Sequence, residues 1–298
     1  MKKFTFIFPV LLFAFAAKAQ EQVVVQTKMM TTQNGNVPAY QVIIPQALQP
    51  KVLKEWSRMI VNETGRKERK KPVITKSEYS IDSVFIKQIT EEPLNVNTTF
   101  MQKANGVEML AAISLNGQYI DTANPVFNER VSNYIRNFAI EQYQEAVKEE
   151  LDQEQHNLEL LNEKLDQLVK ENTKYKKNIA SYNNDTIDLK QDIILQNKLK
   201  EGKNQEIYQQ EINVSRAKSD PVKFKEQKKK LDGMKQERKQ ISNKIKKNDK
   251  QIISTVSSIE SNRRKIELNE QEQEKQRQAI ENQMKVVEQV REKLDTIK

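Results

Sequence analysis

The chain has 298 residues, a formal charge of +9, one histidine and no cysteine. Without cysteine there are no disulfides, no thiol nucleophile and no thiolate metal site. A hydrophobic content of 37% against 31% charged residues is low for one large globule, and it suits a small folded domain joined to extended, solvated helices.

The first residues set the expected compartment. Lys2 and Lys3 precede an apolar run from Phe4 to Ala17, broken only by Thr5 and Pro9. Ala17-Lys18-Ala19 then places small residues at the −3 and −1 positions of a cleavage site. The pattern predicts a signal peptide over residues 1–19, cut between Ala19 and Gln20, and a periplasmic mature protein. The run is short of the roughly 20 residues a transmembrane helix needs. Lipid attachment at the cleavage site would need a cysteine. Loss of Lys2, Lys3 and Lys18 lowers the formal charge from +9 to +6.

Residues 20–124 read as a small α+β domain. Val23-Val24-Val25 opens a β-branched strand, and Asn34-Gly35-Asn36 is a turn leading to the strand Tyr40–Ile44. A helix is expected near Pro50 to Val61, with Val52, Leu53, Trp56, Met59 and Ile60 on one face. Further strands are expected at 73–78, 83–88, 95–102 and 108–115, the last two punctuated by Asn105-Gly106 and Asn116-Gly117. The basic run Arg66–Lys71 reads as a solvated loop.

Asn124-Pro125 is a helix start, an N-cap followed by proline at the first helical position. Phe127, Val131, Tyr134, Ile135, Phe138, Ala139 and Tyr143 make a broad aromatic stripe, wide enough to dock on the β-rich domain. Beyond Val147 the stripe narrows to a coiled-coil seam through Leu151, Leu158, Leu161, Leu165 and Leu168. Asp220-Pro221 repeats the start signal, so one arm spans 125–218 and a return helix 219–298. In the return helix one heptad row runs Leu231, Arg238, Ile245, Ile252, Ile259, Ile266, with apolar residues at eight of its ten positions. Its companion row, Met234, Ile241, Asn248, Thr255, Asn262, Asn269, is apolar at four of ten. Buried amides in a seam favour one register at a cost in stability. A short connection makes long helices antiparallel neighbours, which predicts an α-hairpin with its turn at 218–221. The alternative is two separate segments that oligomerise with other chains. Asn183-Asn184-Asp185 and Gly202 are candidate interruptions of the first arm. The expected fold class is thus a small α+β N-terminal domain followed by a long α-helical coiled-coil hairpin.

The residues give little support to catalysis. His156 falls at an outer heptad position, where no pocket shelters a proton-transfer partner. Glu91, Glu92, Glu108 and Asp121 are the acids nearest predicted strand ends, and no pairing among them demands catalysis. Neither Gly65 nor Gly202 fits a phosphate-binding loop. No cofactor or metal is expected. The arm resembles the coiled coils of chromosome-maintenance ATPases in heptad composition alone, without an ATP-binding motif.

Charge placement is the sharper signal. Between Arg216 and Lys250 there are fourteen basic residues against five acids, a net of +9. The candidate anion- or partner-binding residues are Lys223, Lys225, Lys228, Lys229, Lys230, Lys235, Arg238 and Lys239. In an exported protein the implied partners are an envelope protein or an anionic lipid or lipopolysaccharide surface, not nucleic acid. The seam also allows homo-oligomers. Asp82-Ser83-Val84, Asp121-Thr122-Ala123, Asp185-Thr186-Ile187 and Asp295-Thr296-Ile297 resemble the Asp-[Ser/Thr]-apolar O-glycosylation site of exported proteins in one Gram-negative phylum. That resemblance implies glycans on Ser83, Thr122, Thr186 and Thr296, all of which must then be exposed. The expected function is a non-enzymatic scaffold or adaptor presenting a basic hairpin tip. The layout also resembles the trimeric Skp/OmpH periplasmic chaperones, which implies a holdase for outer-membrane proteins, although here no strand is predicted to return after the arms.

Overall fold

The structure is a computed structural model and describes residues 23–32, 35–64 and 71–298. The expected signal peptide and its Ala19–Gln20 junction lie outside the described residues, as does the run 66–70. Two compact units are formed: residues 1–156 with Met284–Lys298, and Asn157–Gln283.

The first unit is built on an antiparallel sheet. Its strands are β1 (Val25–Thr32), β2 (Gly35–Pro45), β3 (Val73–Ile74), β4 (Glu78–Val84), β5 (Leu94–Lys103), β6 (Gly106–Leu115) and β7 (Gln118–Tyr119). The order is β1-β2-β6-β5-β4-β3, with β7 paired to β6. Helix α1 (Gln49–Glu63) connects β2 to the β3–β6 meander. Strand alternation sends Tyr40, Val42 and Ile44 of β2, Leu94, Val96 and Phe100 of β5, and Val107, Met109 and Ile113 of β6 to one face, where they are buried. Val52, Trp56 and Ile60 of α1 close on the same core.

Turn chemistry moved two strands from their expected places. The Thr75 hydroxyl accepts from the Glu78 amide at 3.0 Å, and the Thr75 amide bonds back to the Glu78 carbonyl at 2.9 Å. That tight turn ends β3 at Ile74 and starts β4 at Glu78. The expected strand over 83–88 is absent beyond Val84, because the Ile86 carbonyl accepts from the amides of Ile89 and Thr90 in a helical turn. The Asn105-Gly106 turn is where expected. A Cβ on Gly106 would lie 2.1 Å from the Ile44 carbonyl oxygen, so only glycine fits between β6 and the end of β2.

Helix α2 (Pro125–Arg216) starts where Asn124 caps it, its Oδ1 accepting from the Phe127 amide at 3.4 Å. Val131, Tyr134, Ile135, Phe138, Ala139, Tyr143 and Val147 are buried in the same core as the sheet, as the broad stripe implied. Trp56 meets the rings of Tyr134 and Phe138 edge-on, at centroid distances of 5.9 and 4.9 Å. Asn183-Asn184-Asp185 and Gly202 do not interrupt the helix, which is continuous through 92 residues. A single 3-10 turn (Ala217–Ser219) leads to α3 (Pro221–Thr296), capped by Asp220 Oδ1 at the Val222 and Lys223 amides. A small strand-rich N-terminal region is therefore followed by a long helical hairpin.

The end of α3 belongs to the first unit. Val290 and Ile297 are buried in its core, with Leu151 and Leu294 packed against it. Gln144 donates to the Ile297 carbonyl at 3.2 Å, and Lys293 bonds Glu150 at 3.0 Å and Gln46 at 2.6 Å. The C-terminal turns thus complete the core that the N-terminal residues begin, and they do so as helix.

One buried polar cluster in this unit is incompletely bonded. Glu63 Oε2, at the end of α1, and the hydroxyls of Tyr79 and Tyr134 are buried with no hydrogen-bond partner of good geometry among the described residues. Burial holds the Glu63 carboxyl above its usual range, only partly offset by the Tyr134 hydroxyl that it faces. A raised native value favours the protonated form, so its contribution to stability is full below the ordinary glutamate range and lost as pH rises through the raised value. Glu63→Gln is expected to make the protein more stable at neutral pH and to flatten that part of the pH–stability profile. Urea unfolding at a series of pH values checks this.

Candidate anionic-partner interface

The second unit is an antiparallel pair of helices. Its seam is closed by residues of both helices: Ile207, Leu231 and Ile259 are buried, and so are Asn172, Gln196, Gln210, Asn248, Asn262, Asn269 and Gln276. The amides are bonded. Asn172 Nδ2 donates to Asn269 Oδ1 at 3.3 Å, Gln273 Nε2 donates to the same oxygen at 2.7 Å, and Gln276 Nε2 donates to the Leu161 carbonyl at 2.8 Å. Gln210 Nε2 reaches the Gln227 carbonyl at 2.9 Å. Asp192 accepts from Asn248 at 2.8 Å, and that bond, with those from Gln196 and Lys244, holds its carboxyl below the usual range. The sequence left open whether the arms pair within the chain, and these bonds answer that they do.

Losing a partner in such a seam strands the others. Asn269→Leu removes the acceptor of two buried amides and is expected to cost about 1–3 kcal/mol. Urea unfolding followed by circular dichroism measures it.

Every cation proposed from the sequence is exposed, from Lys223 to Lys239. They differ in what holds them. Lys223 pairs with Asp220 at 3.6 Å, Lys235 pairs with Glu211 at 2.9 Å, and Arg238 reaches Asn204 Oδ1 at 3.5 Å. Lys225, Lys228, Lys229, Lys230 and Lys239 have no acidic partner among the described residues. Lys235 and Arg238 lie at or beside the seam and meet the other arm, Lys223 meets the cap of its own helix, and Lys225, Lys229 and Lys239 point away from the seam. On the seam-distal positions of α3, Lys225, Lys229, Lys239, Lys246, Lys247 and Lys250 are opposed only by Glu226 and Asp232. The face is a linear basic stripe of about 37 Å at the helical rise of about 1.5 Å per residue. Lys246, Lys247 and Lys250 were in the sequence count but not among the candidates. Assigning each lysine to its heptad position would have placed them on the same face.

The other candidates are scattered. Thr122 and Thr296 are exposed, Ser83 sits half-buried with a φ of 58° at the β4 bulge, and Thr186 is only 8% exposed, its hydroxyl bonding the Tyr182 carbonyl at 2.8 Å. Thr186 therefore does not meet the exposure that a glycan requires. His156 is exposed. Of the four acids near strand ends, Glu108 alone is buried, and both its oxygens are engaged. Oε1 accepts from Gln41 and lies 3.5 Å from Lys28, and Oε2 lies 2.9 Å from Lys103. The Lys103 bond, reinforced by Gln41, holds this carboxyl below the usual range, as an ion pair across strands does. Glu92 accepts from Asn116 at 2.9 Å and Asp121 from the Ala123 amide at 2.8 Å. Among the described residues no cluster of three or more His, Cys, Asp or Glu is placed to hold a metal. Two open depressions lie on the helices, one lined by Gly202, Gln205 and Tyr208, the other by Asp185, Asp192 and Gln251. No helix of the described residues is long and apolar enough to cross a membrane.

No family model and no curated protein matches the chain. It is similar to two solved structures from Pyrococcus yayanosii. One is a coiled-coil segment of Smc, 20% identical, covering 57% of this chain and 70% of that chain with a TM-score of 0.48. The other is the Smc head domain with a coiled coil and joint, 13% identical, covering 72% of this chain and 57% of that chain with a TM-score of 0.32. These likenesses do not bear on what this chain binds, and its coiled-coil hairpin is read from its own seam.

Proposed function

We propose that the protein is an exported, non-enzymatic scaffold or adaptor of the cell envelope whose hairpin offers the basic face of α3 to an anionic partner. The observation that carries this reading is the set of exposed lysines between Lys225 and Lys250 that point away from the seam and have no acidic partner among the described residues. An exposed cation already paired inside the chain has little left to offer, whereas an unpaired row raises the local concentration of any anionic surface. The lysines line an open helix face, not a pocket, which suits a surface of phosphates or carboxylates better than a single small anion. The periplasm is the compartment implied by the leader pattern, and it leaves lipid headgroups, lipopolysaccharide and acidic protein segments as the candidates.

The test is co-sedimentation with phosphatidylglycerol vesicles and with envelope extracts, comparing the native chain with the Lys228→Glu/Lys229→Glu/Lys230→Glu variant. Retained capture by the folded variant would rule out the basic-face reading. A second reading, a holdase, is favoured by the exposed apolar side chains on the outer face of α2. It requires that the protein suppress aggregation of unfolded outer-membrane clients.

A further inference from the structure

We infer that α3 pairs with α3 of a second copy of this chain, antiparallel, about a two-fold axis at Ile253. The contact is one row of side chains. It lies one place past the seam row that holds Ile245, Ile252 and Ile259, so it is turned about 100° from that row and away from the other arm. At heptad spacing it reads Lys239, Lys246, Ile253, Glu260 and Glu267, and all five side chains are exposed. Ile253 is 70% exposed, while its neighbour Ile252 is half-buried and already fills the seam at this level.

The four charges around Ile253 have no partner of opposite sign in their own chain among the described residues. Charges close to them do: Lys244 pairs with Asp192 at 3.1 Å, and Glu274 pairs with Arg277 at 3.5 Å. The row therefore runs as two free cations, an apolar residue and two free acids.

That order selects the occupant. A uniform polyanion or an anionic lipid surface would be repelled by Glu260 and Glu267, and a polycation by Lys239 and Lys246. The complement is the same row run backwards, which a second copy supplies. Antiparallel pairing sets Lys246 against the partner's Glu260 and Lys239 against the partner's Glu267, each of them twice, with Ile253 on Ile253 at the axis. Parallel pairing would set like charges together. Exposed ion pairs are individually weak, so here they fix direction and register. Burial of Ile253, and of Val256 one turn on at 42% exposed, adds the apolar part. One heptad further out Asp232 would meet the partner's Glu274, which confines the contact to residues 239–267, about 42 Å of helix. Lys229, Lys247 and Lys250 stand off this row, so the paired hairpins keep them for an anionic partner.

Sedimentation equilibrium of the full chain at micromolar loading is expected to show a dimer. Glu260→Lys with Glu267→Lys should weaken it by about tenfold or more, equivalent to ~1.4 kcal/mol, with helical content unchanged. Lys239→Glu with Lys246→Glu should do the same, and all four changes in one chain should restore the dimer. The absence of native cysteine allows a second readout. Ile253→Cys should form a disulfide-linked dimer, Lys239→Cys alone should not, and Lys239→Cys mixed with Glu267→Cys should. A monomer throughout, a dimer indifferent to either reversal, no recovery in the four-fold variant, or cross-linking of Lys239→Cys alone as readily as Ile253→Cys would overturn the inference.

Discussion

Trp56→Ala is expected to destabilise the first unit by about 3–5 kcal/mol, the range for removing a large buried aromatic from a well-packed core. Trp56 is fully buried, and its Nε1 donates to the Thr98 hydroxyl at 3.0 Å. Its ring sits between the sheet and α2, edge-on to Tyr134 and Phe138. Truncation therefore opens a cavity, leaves Thr98 without its donor and removes two aromatic contacts, each worth about 0.5–1.5 kcal/mol beyond burial. The loss falls on the contact between α1, β5 and α2. Hydrogen exchange at the β5 and β6 amides is the appropriate readout, because circular dichroism is dominated by the helices and the only tryptophan is gone. Faster exchange confined to the sheet is expected.

The triple variant Lys228→Glu, Lys229→Glu, Lys230→Glu is expected to have the largest effect on binding. A lysine near an anionic surface contributes about 1 kcal/mol, so losing three costs ~3 kcal/mol, and the added acids repel the surface further. Affinity should fall by about two orders of magnitude or more. None of the three lysines has an acidic partner among the described residues, so the fold has little to lose; their reversal removes like-charge crowding on α3. Binding by the native chain should weaken steeply with added salt, as exposed charges do, and the variant should show little salt dependence.

Local signals carried much of the architecture. Asn124 and Asp220 cap the two helices as their Asn-Pro and Asp-Pro pairs imply, because capping needs only adjacent residues. The broad stripe of α2 and the polar row of α3 were readable because each repeats on a helical period. The β3–β4 region was less legible. A threonine hydroxyl at Thr75 competes with the ladder for backbone amides, and strand propensity does not register that competition. The return of α3 to the first unit had no sequence signature. Val290, Leu294 and Ile297 occupy ordinary seam positions, and whether such a row meets a helix or a domain core depends on the partner, not the period.

The candidate interface was legible as charge, since +9 over 35 residues stands out in any count. What the sequence could not separate was paired from unpaired cations. Lys235 and Lys229 are equivalent in composition, but only the first has Glu211 opposite it on the other arm.

The most direct test of the account is in-cell photo-crosslinking from a probe at Lys229, followed by mass spectrometry of the captured molecules. Lys229 lies on the seam-distal face of α3, exposed and without an acidic partner among the described residues, so the probe reports the basic stripe itself. Crosslinks to one dominant envelope protein or to an anionic lipid, lost when Lys228 and Lys230 become Glu, are the predicted result. A broad set of outer-membrane proteins captured equally with and without that charge reversal would contradict it.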